Sequence, residues 1–240
     1  MQEAFLREEM LLGAAAMERL RQSHVMVVGI GGVGSYAAEA LARAGVGALT
    51  LVDEDTVSVS NLNRQLCALR STVGQYKAEV MAARVRDINP DCRVTAINAR
   101  YDEAHKEAFF ALAPDYLVDA IDIVSCKLSL IGTAIARGIP ILSAMGTGNK
   151  LDPTQFEITD ISKTQGCPLA RVVRKELRAR GILHHTVLYS REEPHAAVQL
   201  DVPPPGRRSV PGSLSWVPSC AGLMLAGYVV RALCGEAFPD

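Results

Sequence analysis

The chain has 240 residues, with 25 lysines and arginines against 26 aspartates and glutamates, a formal net charge of -1 and 49% hydrophobic residues. This composition excludes an intrinsically disordered protein, and the balanced charge excludes binding to nucleic acid through an overall positive charge. The 6 cysteines form no C-x-x-C pair and are too few for a disulfide scaffold, and the first residues lack the apolar segment of a secretory signal. We therefore expect a cytoplasmic protein with reduced thiols.

Apolar runs of strand length alternate along the chain with segments of helical periodicity. Strands are predicted at residues 24–29, 48–53, 93–97, 116–121, 139–143, 156–160, 186–190 and 213–217. Helices are predicted at residues 34–44, 76–89, 103–112, 124–137, 168–180 and 221–233. This alternation is typical of right-handed βαβ units, so we expect an α/β fold with a Rossmann-like, doubly wound, mainly parallel sheet.

We expect a single domain over residues 1–240, in which a nucleotide-binding part at 1–148 continues into a strand-and-helix extension at 149–240. Residues 192–209 contain three consecutive prolines and are predicted to form a mobile loop. The last predicted helix has about thirteen residues, fewer than the ~20 that cross a bilayer. No stable membrane insertion is therefore expected.

A glycine-rich segment, Gly29-Ile-Gly-Gly-Val-Gly34, lies between the first predicted strand and the helix that follows it. Glycines at such a turn let backbone N–H groups at a helix N-terminus bind phosphate, and we assign this role to Gly29, Gly31, Gly32 and Gly34. Asp53, at the end of the next strand, is placed to accept hydrogen bonds from ribose hydroxyls. These features alone predict a nucleotide site, for which NAD is the default ligand.

Polar residues beyond Asp53 favour ATP over NAD. A triphosphate carries more charge than a dinucleotide, and its neutralisation takes protein cations and a divalent metal. Arg64 and Lys77 supply cations, and Asp122, predicted to end a strand at the carboxyl edge of the sheet, suits Mg²⁺. The other residues assigned to this site are Asp55, Asn61, Asn63 and Gln65. A NAD-dependent dehydrogenase or a nucleotide sensor is the alternative, and it predicts no need for magnesium.

Several segments together resemble the ubiquitin-activating-type adenylating superfamily that includes ThiF, MoeB and HesA. They are residues 29–34, 51–57, 60–65, 73–77, 88–90 and 119–122. The resemblance implies that Mg·ATP activates a carboxylate with release of pyrophosphate, and that Arg64, Lys77 and Asp122 are catalytic, with Asp122 holding Mg²⁺. It also implies a homodimer in which Arg7 reaches the ATP of the partner subunit. An exposed helix charge is the alternative role for Arg7.

The C-terminal part distinguishes two branches of this superfamily. Sulfur-carrier-activating members have two zinc-binding C-x-x-C pairs, whereas Cys167, Cys220 and Cys234 are isolated, so no zinc is expected. Residues 146–154, 158–164, 168–170 and 211–218 instead resemble the tRNA threonylcarbamoyladenosine dehydratase branch.

The dehydratase resemblance implies ATP-dependent cyclisation of threonylcarbamoyladenosine beside the tRNA anticodon, through an acyl adenylate of the threonyl carboxylate. Residues 149–240 would then provide the substrate and dimer surfaces. A cysteine desulfurase or sulfur-acceptor system is a further partner that the resemblance allows. The alternative function is adenylation of the C-terminus of a small ubiquitin-like sulfur carrier.

The predicted helix 168–180 is strongly basic. We assign RNA binding to Arg171, Arg174, Lys175 and Arg178, because a local basic patch can contact phosphates without an overall positive charge. Arg207 and Arg208, in the predicted mobile loop, would add to this patch. A solvated helix face is the alternative.

Cys167 precedes Pro168 at the start of the same predicted helix, with Lys163 close in sequence. A helix N-terminus and a nearby cation favour a reactive thiolate, which would allow a thioester mechanism. A structural thiol is the favoured interpretation.

Overall fold

The computed structural model describes residues 3–200 and 210–235. Seven strands form one sheet: β1 His24–Val28, β2 Ala48–Val52, β3 Arg93–Ile97, β4 Tyr116–Asp119, β5 Ile141–Ala144, β6 Phe156–Asp160 and β7 Thr186–Ser190. The helices are α1 Leu6–Leu12, α2 Ala14–Gln22, α3 Gly34–Arg43, α4 Lys77–Ile88, α5 Lys106–Phe110, α6 Val124–Ala136, α7 Pro168–Ala179 and α8 Trp216–Leu233. The predicted α/β class and doubly wound sheet are confirmed.

The strand order is β3-β2-β1-β4-β5-β7-β6, and every pairing is parallel except that of β6 with β7. Strands β2 and β3 follow on one side of β1, and the strands from β4 onward follow on its other side. Val28 lies opposite both Val52 and Asp119, so the carboxyl ends of three central strands are level. Ligands of open α/β sheets bind at such a reversal of strand order.

Alternate residues of the central strands enter two separate cores, as a sheet covered on both faces requires. Val25 and Val27 of β1 pack with α2, α3, α4 and α8, whereas Met26 and Val28 pack with α5, α6 and α7. Helix α8 approaches α3 closely at Gly222, where an added Cβ would lie 2.3 Å from the Val33 carbonyl oxygen. This contact brings the start of α8 next to the glycine turn.

The predicted strand at residues 213–217 is wrong, because α8 begins at Trp216 and extends over 18 residues. A proline in the first turn of a helix loses no helical hydrogen bond, so Pro218 is compatible with α8.

Within the described residues, α8 is the one helix long and apolar enough to cross a membrane, and 44% of it is buried inside the protein. Its contact with α3 is that of a helix in a globular core. The helix is longer than the sequence predicted. Because it packs against α3, we still expect no membrane insertion.

Residues 192–200 of the predicted mobile loop contain no helix or strand. They are nevertheless anchored: the Glu192 carboxylate accepts the N–H groups of Leu151 and Asp152 at 2.9 and 3.1 Å. Asn149 accepts the His195 N–H at 2.8 Å. The rest of that loop, including Arg207 and Arg208, lies outside the described residues.

Candidate active site

Gly29 and Gly34 shape the turn between β1 and α3. Gly29 has a φ of +92°, and an added Cβ would lie 2.7 Å from the Ala120 carbonyl oxygen. A Cβ on Gly34 would lie 1.8 Å from the carbonyl oxygen of Gly29. Only glycine fits at these two positions, so they close the turn and thereby place the first N–H groups of α3 at the carboxyl edge of the sheet.

Gly31 and Gly32 lie on the outer side of the same turn. The nearest atom to an added Cβ on Gly31 is Gln65 Nε2, at 3.8 Å, and Gln65 is buried there. A Cβ on Gly32 would lie 3.2 Å from Pro218 Cβ. The loop containing Gln65 and the first turn of α8 therefore form the walls on either side of these two glycines.

Asp53 directly follows β2 and fixes the glycine turn. Its Oδ2 accepts the Ile30 N–H at 2.6 Å, and its Oδ1 accepts the Asp55 N–H at 2.9 Å. Burial raises the pKa of Asp53, an effect that the nearby Lys77 ammonium opposes. The predicted ribose acceptor is thus already held in a defined orientation by the backbone.

Lys77 begins α4, and its side chain is buried. Nζ lies 2.7 Å from Asp55 Oδ2 and 4.0 Å from Asp53 Oδ1. The structure therefore brings the predicted cation together with two of the predicted acidic residues. An isolated buried ammonium would be costly, so these carboxylates stabilise Lys77 in its inward position.

Arg64 is half-buried, and burial lowers the pKa of its guanidinium. Its Nη1 donates to the Ser60 carbonyl at 2.8 Å and to Asn63 Oδ1 at 2.9 Å. Asn63 in turn donates to the Ser213 carbonyl at 2.9 Å. These contacts connect the loop after β2, which contains Arg64, to the segment before α8.

Asn61 is buried and caps the short helical turn Val59–Asn61, which precedes Arg64. Its Oδ1 accepts the Ser58 N–H at 3.0 Å. The structure therefore gives Asn61 a capping contact in addition to its predicted place in the nucleotide site, which it leaves untested.

Asp122 is exposed in the loop between β4 and α6. The prediction that it ends a strand is wrong, because β4 ends three residues earlier at Asp119. Within residues 3–200 and 210–235, no group of three His, Cys, Asp or Glu residues could hold a metal ion. The loop does follow β4 at the carboxyl edge, beside the glycine turn.

The pair of Asp119 and Lys127 was missed by the sequence analysis. Both side chains are completely buried, and Lys127 Nζ lies 2.7 Å from Asp119 Oδ2. A signal was available: Lys127 is the single charged residue of α6, an otherwise apolar helix, and a buried lysine requires a charged or polar partner.

The predicted RNA-binding residues divide into two groups. Arg171, Lys175 and Arg178 are exposed on α7 at helical spacing, which places them on one face. Arg174 is half-buried and donates to the Thr164 carbonyl at 2.8 Å. One of the hydrogen-bond donors of Arg174 is thus already used within the protein.

A cavity of about 250 Å³ lies at the N-terminal end of α7. It is lined by residues 164–168, by Arg171 and Arg174, and by Glu193. Cys167 lies in its wall but is only 4% exposed. The burial of this thiol favours the structural role predicted for it.

Arg7 is exposed on α1, and the structure of a single chain does not test its reach to a partner. The same helix exposes Met10 and Leu11, at 80% and 88%. Trp216 and Leu223 of α8 are each 50% exposed. Two helices of the chain therefore present apolar side chains to solvent.

A family model for the ThiF family matches residues 5–240. The chain is 46% identical over 243 residues to the tRNA threonylcarbamoyladenosine dehydratase of Bacillus subtilis strain 168, covering 95% of this chain and 94% of that protein. The crystal structure of Escherichia coli tRNA N6-threonylcarbamoyladenosine dehydratase in complex with ATP matches with a TM-score of 0.88 and 37% identity, covering 97% of this chain and 94% of that chain. The same enzyme in complex with AMP matches with a TM-score of 0.87, 37% identity and the same coverage. The chain therefore belongs to the ThiF family.

Proposed function

We propose that the chain catalyses the ATP-dependent dehydration of threonylcarbamoyladenosine in tRNA, beside the anticodon, to a cyclic product. The observation that carries this proposal is the similarity to a dehydratase over 95% of this chain, which includes the C-terminal part as well as the nucleotide-binding part. The residues at the carboxyl edge of the sheet would supply the groups that such a reaction requires.

ATP would bind with its phosphates at the glycine turn and the first turn of α3. Arg64, in the loop after β2, and Lys77, at the start of α4, would neutralise the phosphate charge. Asp53 would accept hydrogen bonds from the ribose. The pairing of Lys77 with Asp55, at 2.7 Å, keeps the ammonium in place before the nucleotide arrives.

Asp122 is suited to Mg²⁺, because this ion keeps most of its waters and binds through one or two carboxylates plus substrate phosphates. An exposed carboxylate beside the phosphate-binding turn fits that requirement without a cluster of protein ligands. When bound, the ion would neutralise phosphate charge and favour departure of pyrophosphate.

The reaction would proceed in two steps. A carboxylate oxygen of the threonyl group attacks the α-phosphorus, and the bond to pyrophosphate breaks. The ureido nitrogen then attacks the activated acyl carbon, loses its proton and displaces AMP, which keeps the oxygen removed from the substrate. Proximity within one nucleoside makes the second step intramolecular, so it needs no enzyme nucleophile.

The exposed face of α7 would bind the tRNA backbone through Arg171, Lys175 and Arg178. Three cations on one helix face can contact phosphates although the chain as a whole has a net charge of -1. Arg174, with its contact to Thr164, would support the shape of the cavity and contribute less to RNA binding.

A homodimer in the cytoplasm is the assembly we propose. The exposed apolar residues of α1 and α8 provide a surface for a second copy, and Arg7 lies on the first of these helices, from which it would reach the partner's ATP. A cysteine desulfurase or sulfur-acceptor system would be a further partner.

The direct test is incubation of the purified protein with Mg·ATP and tRNA bearing threonylcarbamoyladenosine, followed by gentle digestion and nucleoside mass spectrometry. The expected result is an ATP-dependent loss of one water from that nucleoside. An unchanged nucleoside, with ATP cleaved to AMP only when a small ubiquitin-like carrier protein is added, would instead assign the chain to carrier activation.

A further inference from the structure

Lys127 and Asp119 form a completely buried ion pair beneath the loop that carries Asp122. Their charged atoms lie 2.7 Å apart, and Lys127 Nζ also donates to the Ala144 carbonyl at 3.0 Å. A buried ion pair contributes little net stability, because the desolvation of both charges offsets their attraction. Stability of the core is therefore a poor explanation for these two buried charges.

The pair is connected directly to the nucleotide site through the backbone. Asp119 uses its second oxygen, Oδ1, to accept the Ile121 N–H at 3.0 Å. The neighbouring Ala120 N–H donates to the Val28 carbonyl at 2.9 Å, and the Ala120 carbonyl closely approaches Gly29. The backbone of residues 120 and 121 is thus held between the ion pair and the glycine turn.

Lys127 also connects two strands at the carboxyl edge of the sheet. Asp119 ends β4, and Ala144 ends β5, from which the chain continues into residues 145–150. A single ammonium therefore fixes the exits of both strands. The Lys127 ammonium has three donors and can therefore bind both strand ends at once. Because a buried charge is stable only with its partners in place, the pair fixes the position of the last residue of each strand.

We propose that Asp119 and Lys127 are positioning residues for the adenylation reaction. Lys127 holds the Asp119 carboxylate so that its Oδ1 orients the Ile121 N–H, and this fixes the loop that presents Asp122 to the phosphates and their metal ion. The inference rests on the proposed function only in so far as Mg·ATP binds at this edge of the sheet.

Three variants separate positioning from stability. Asp119→Asn leaves Lys127 without its counter-charge but keeps an oxygen for the Ile121 N–H. Lys127→Met leaves the Asp119 charge unpaired. The double variant Asp119→Leu/Lys127→Met removes both charges from the core, but it also removes the acceptor for the Ile121 N–H. The melting temperature and the affinity for Mg·ATP, measured by calorimetry, are determined for each.

We expect the two measurements to rank the variants in opposite orders. Asp119→Asn and Lys127→Met should each melt at a lower temperature than the double variant and yet bind Mg·ATP more tightly than it does, because each keeps an oxygen that can accept from the Ile121 N–H. The double variant should be the more stable protein and yet bind Mg·ATP about tenfold or more weakly, as is typical when a residue that orients a metal ligand is lost. If the pair only stabilised the fold, melting temperature and affinity for Mg·ATP would rank the variants in the same order.

The matched control is Glu39→Leu/Arg84→Met, which removes an ion pair of 2.6 Å between α3 and α4, away from the strand exits. It should leave the affinity for Mg·ATP unchanged. Parental ATP affinity in the double variant, or equal weakening in Asp119→Asn, would overturn the proposal. If the parental protein binds Mg·ATP but does not dehydrate the tRNA nucleoside, the proposed function is contradicted. The calorimetric affinities of the variants would still test the positioning role of Asp119 and Lys127.

Discussion

Lys77 and Asp55 form an ion pair of 2.7 Å in which one partner is buried and the other is not: the lysine side chain is 6% exposed and the aspartate side chain 63%. The exposed carboxylate can turn into solvent without a desolvation cost, whereas the ammonium stays buried beside Asp53, within the proposed nucleotide site. We therefore expect phosphate oxygens to replace Asp55 as the partner of Lys77 when ATP binds.

Lys77→Met should lower kcat/KM for ATP about a hundredfold, because one preorganised charge on the transferring phosphate is commonly worth that factor or more. The methionine has a similar length and is compatible with burial, so the protein should stay folded. ATP-dependent dehydration of the tRNA nucleoside, measured over a range of ATP concentrations, checks the prediction. Asp55→Asn is the matched control and should change kcat/KM much less; equal losses in both variants would contradict the exchange of partners.

Asp122→Ala should abolish turnover if this carboxylate holds Mg²⁺ beside the phosphates. Asp122→Asn, which keeps one oxygen ligand without the charge, should retain a small activity that rises as Mg²⁺ is added. A titration of turnover with Mg²⁺ measures both effects. Asp102→Ala, at a partly exposed position before α5, controls for the loss of a carboxylate elsewhere on the protein. Normal turnover of Asp122→Ala at low Mg²⁺ would exclude Asp122 from the metal site.

The nucleotide-binding half was predictable from local patterns. The glycine turn, Asp53 and Lys77 each lie at the end of an apolar strand or the start of a helix, and parallel strands bring such ends to one edge. Their convergence follows from topology, which the alternation of strands and helices already indicates.

Contacts between distant segments were not predictable in the same way. The apolar sequence of α6 marks Lys127 as buried but does not identify Asp119 as its partner. Arg174 differs from the other basic residues of α7 only in its contact with the Thr164 carbonyl, which tertiary packing supplies. The start of α8 was also missed: a strand was predicted at residues 213–217, whereas the helix begins at Trp216 and has Pro218 in its first turn. In each case the sequence shows which functional group a residue carries but not which distant residue it contacts.

Charge reversal on the exposed face of α7 should weaken tRNA binding. For Lys175→Glu/Arg178→Glu we expect a lower affinity and a smaller dependence on salt, by roughly one unit of log–log slope per lost phosphate contact. Filter binding at several salt concentrations measures the slope, and calorimetry should show unchanged binding of Mg·ATP. Arg86→Glu, an exposed position on α4, is the matched control. A parental tRNA affinity that does not vary with salt would rule out this surface.

Cys167→Ser should retain dehydration of the tRNA nucleoside, because the thiol is only 4% exposed and the proposed cyclisation needs no enzyme nucleophile. The residue precedes α7 without a side-chain capping bond, and serine is a favoured residue there, so the free energy of unfolding should change by no more than about 1 kcal/mol. Nucleoside mass spectrometry and urea unfolding measure the two quantities. Cys220→Ser, at a partly exposed position, is the control. A folded but inactive Cys167→Ser variant would revive the thioester mechanism.

His185 should make the protein less stable in mild acid. Its Nε2 lies 2.8 Å from Ser143 Oγ, and burial, with a smaller effect of the Lys127 charge, lowers its pKa to about 4. The ordinary pKa of an unfolded histidine is about 6.5. As the pH falls from about 6.5 to about 4, the unfolded state therefore binds a proton that the folded state does not. The contribution of His185 to stability is complete above this window and decreases through it, by roughly 3 kcal/mol in total.

His185→Gln should remove most of this acid sensitivity, because glutamine offers hydrogen-bonding groups to Ser143 but no titratable proton. Between pH 7 and pH 5 the parent should lose about 2 kcal/mol more unfolding free energy than the variant, since most of the unfolded chains are protonated at the lower pH. Urea unfolding at the two pH values measures the difference. His184→Gln changes the neighbouring, exposed histidine and should behave as the parent does. Equal losses for the parent and His185→Gln would mean that His185 is not kept neutral by the fold.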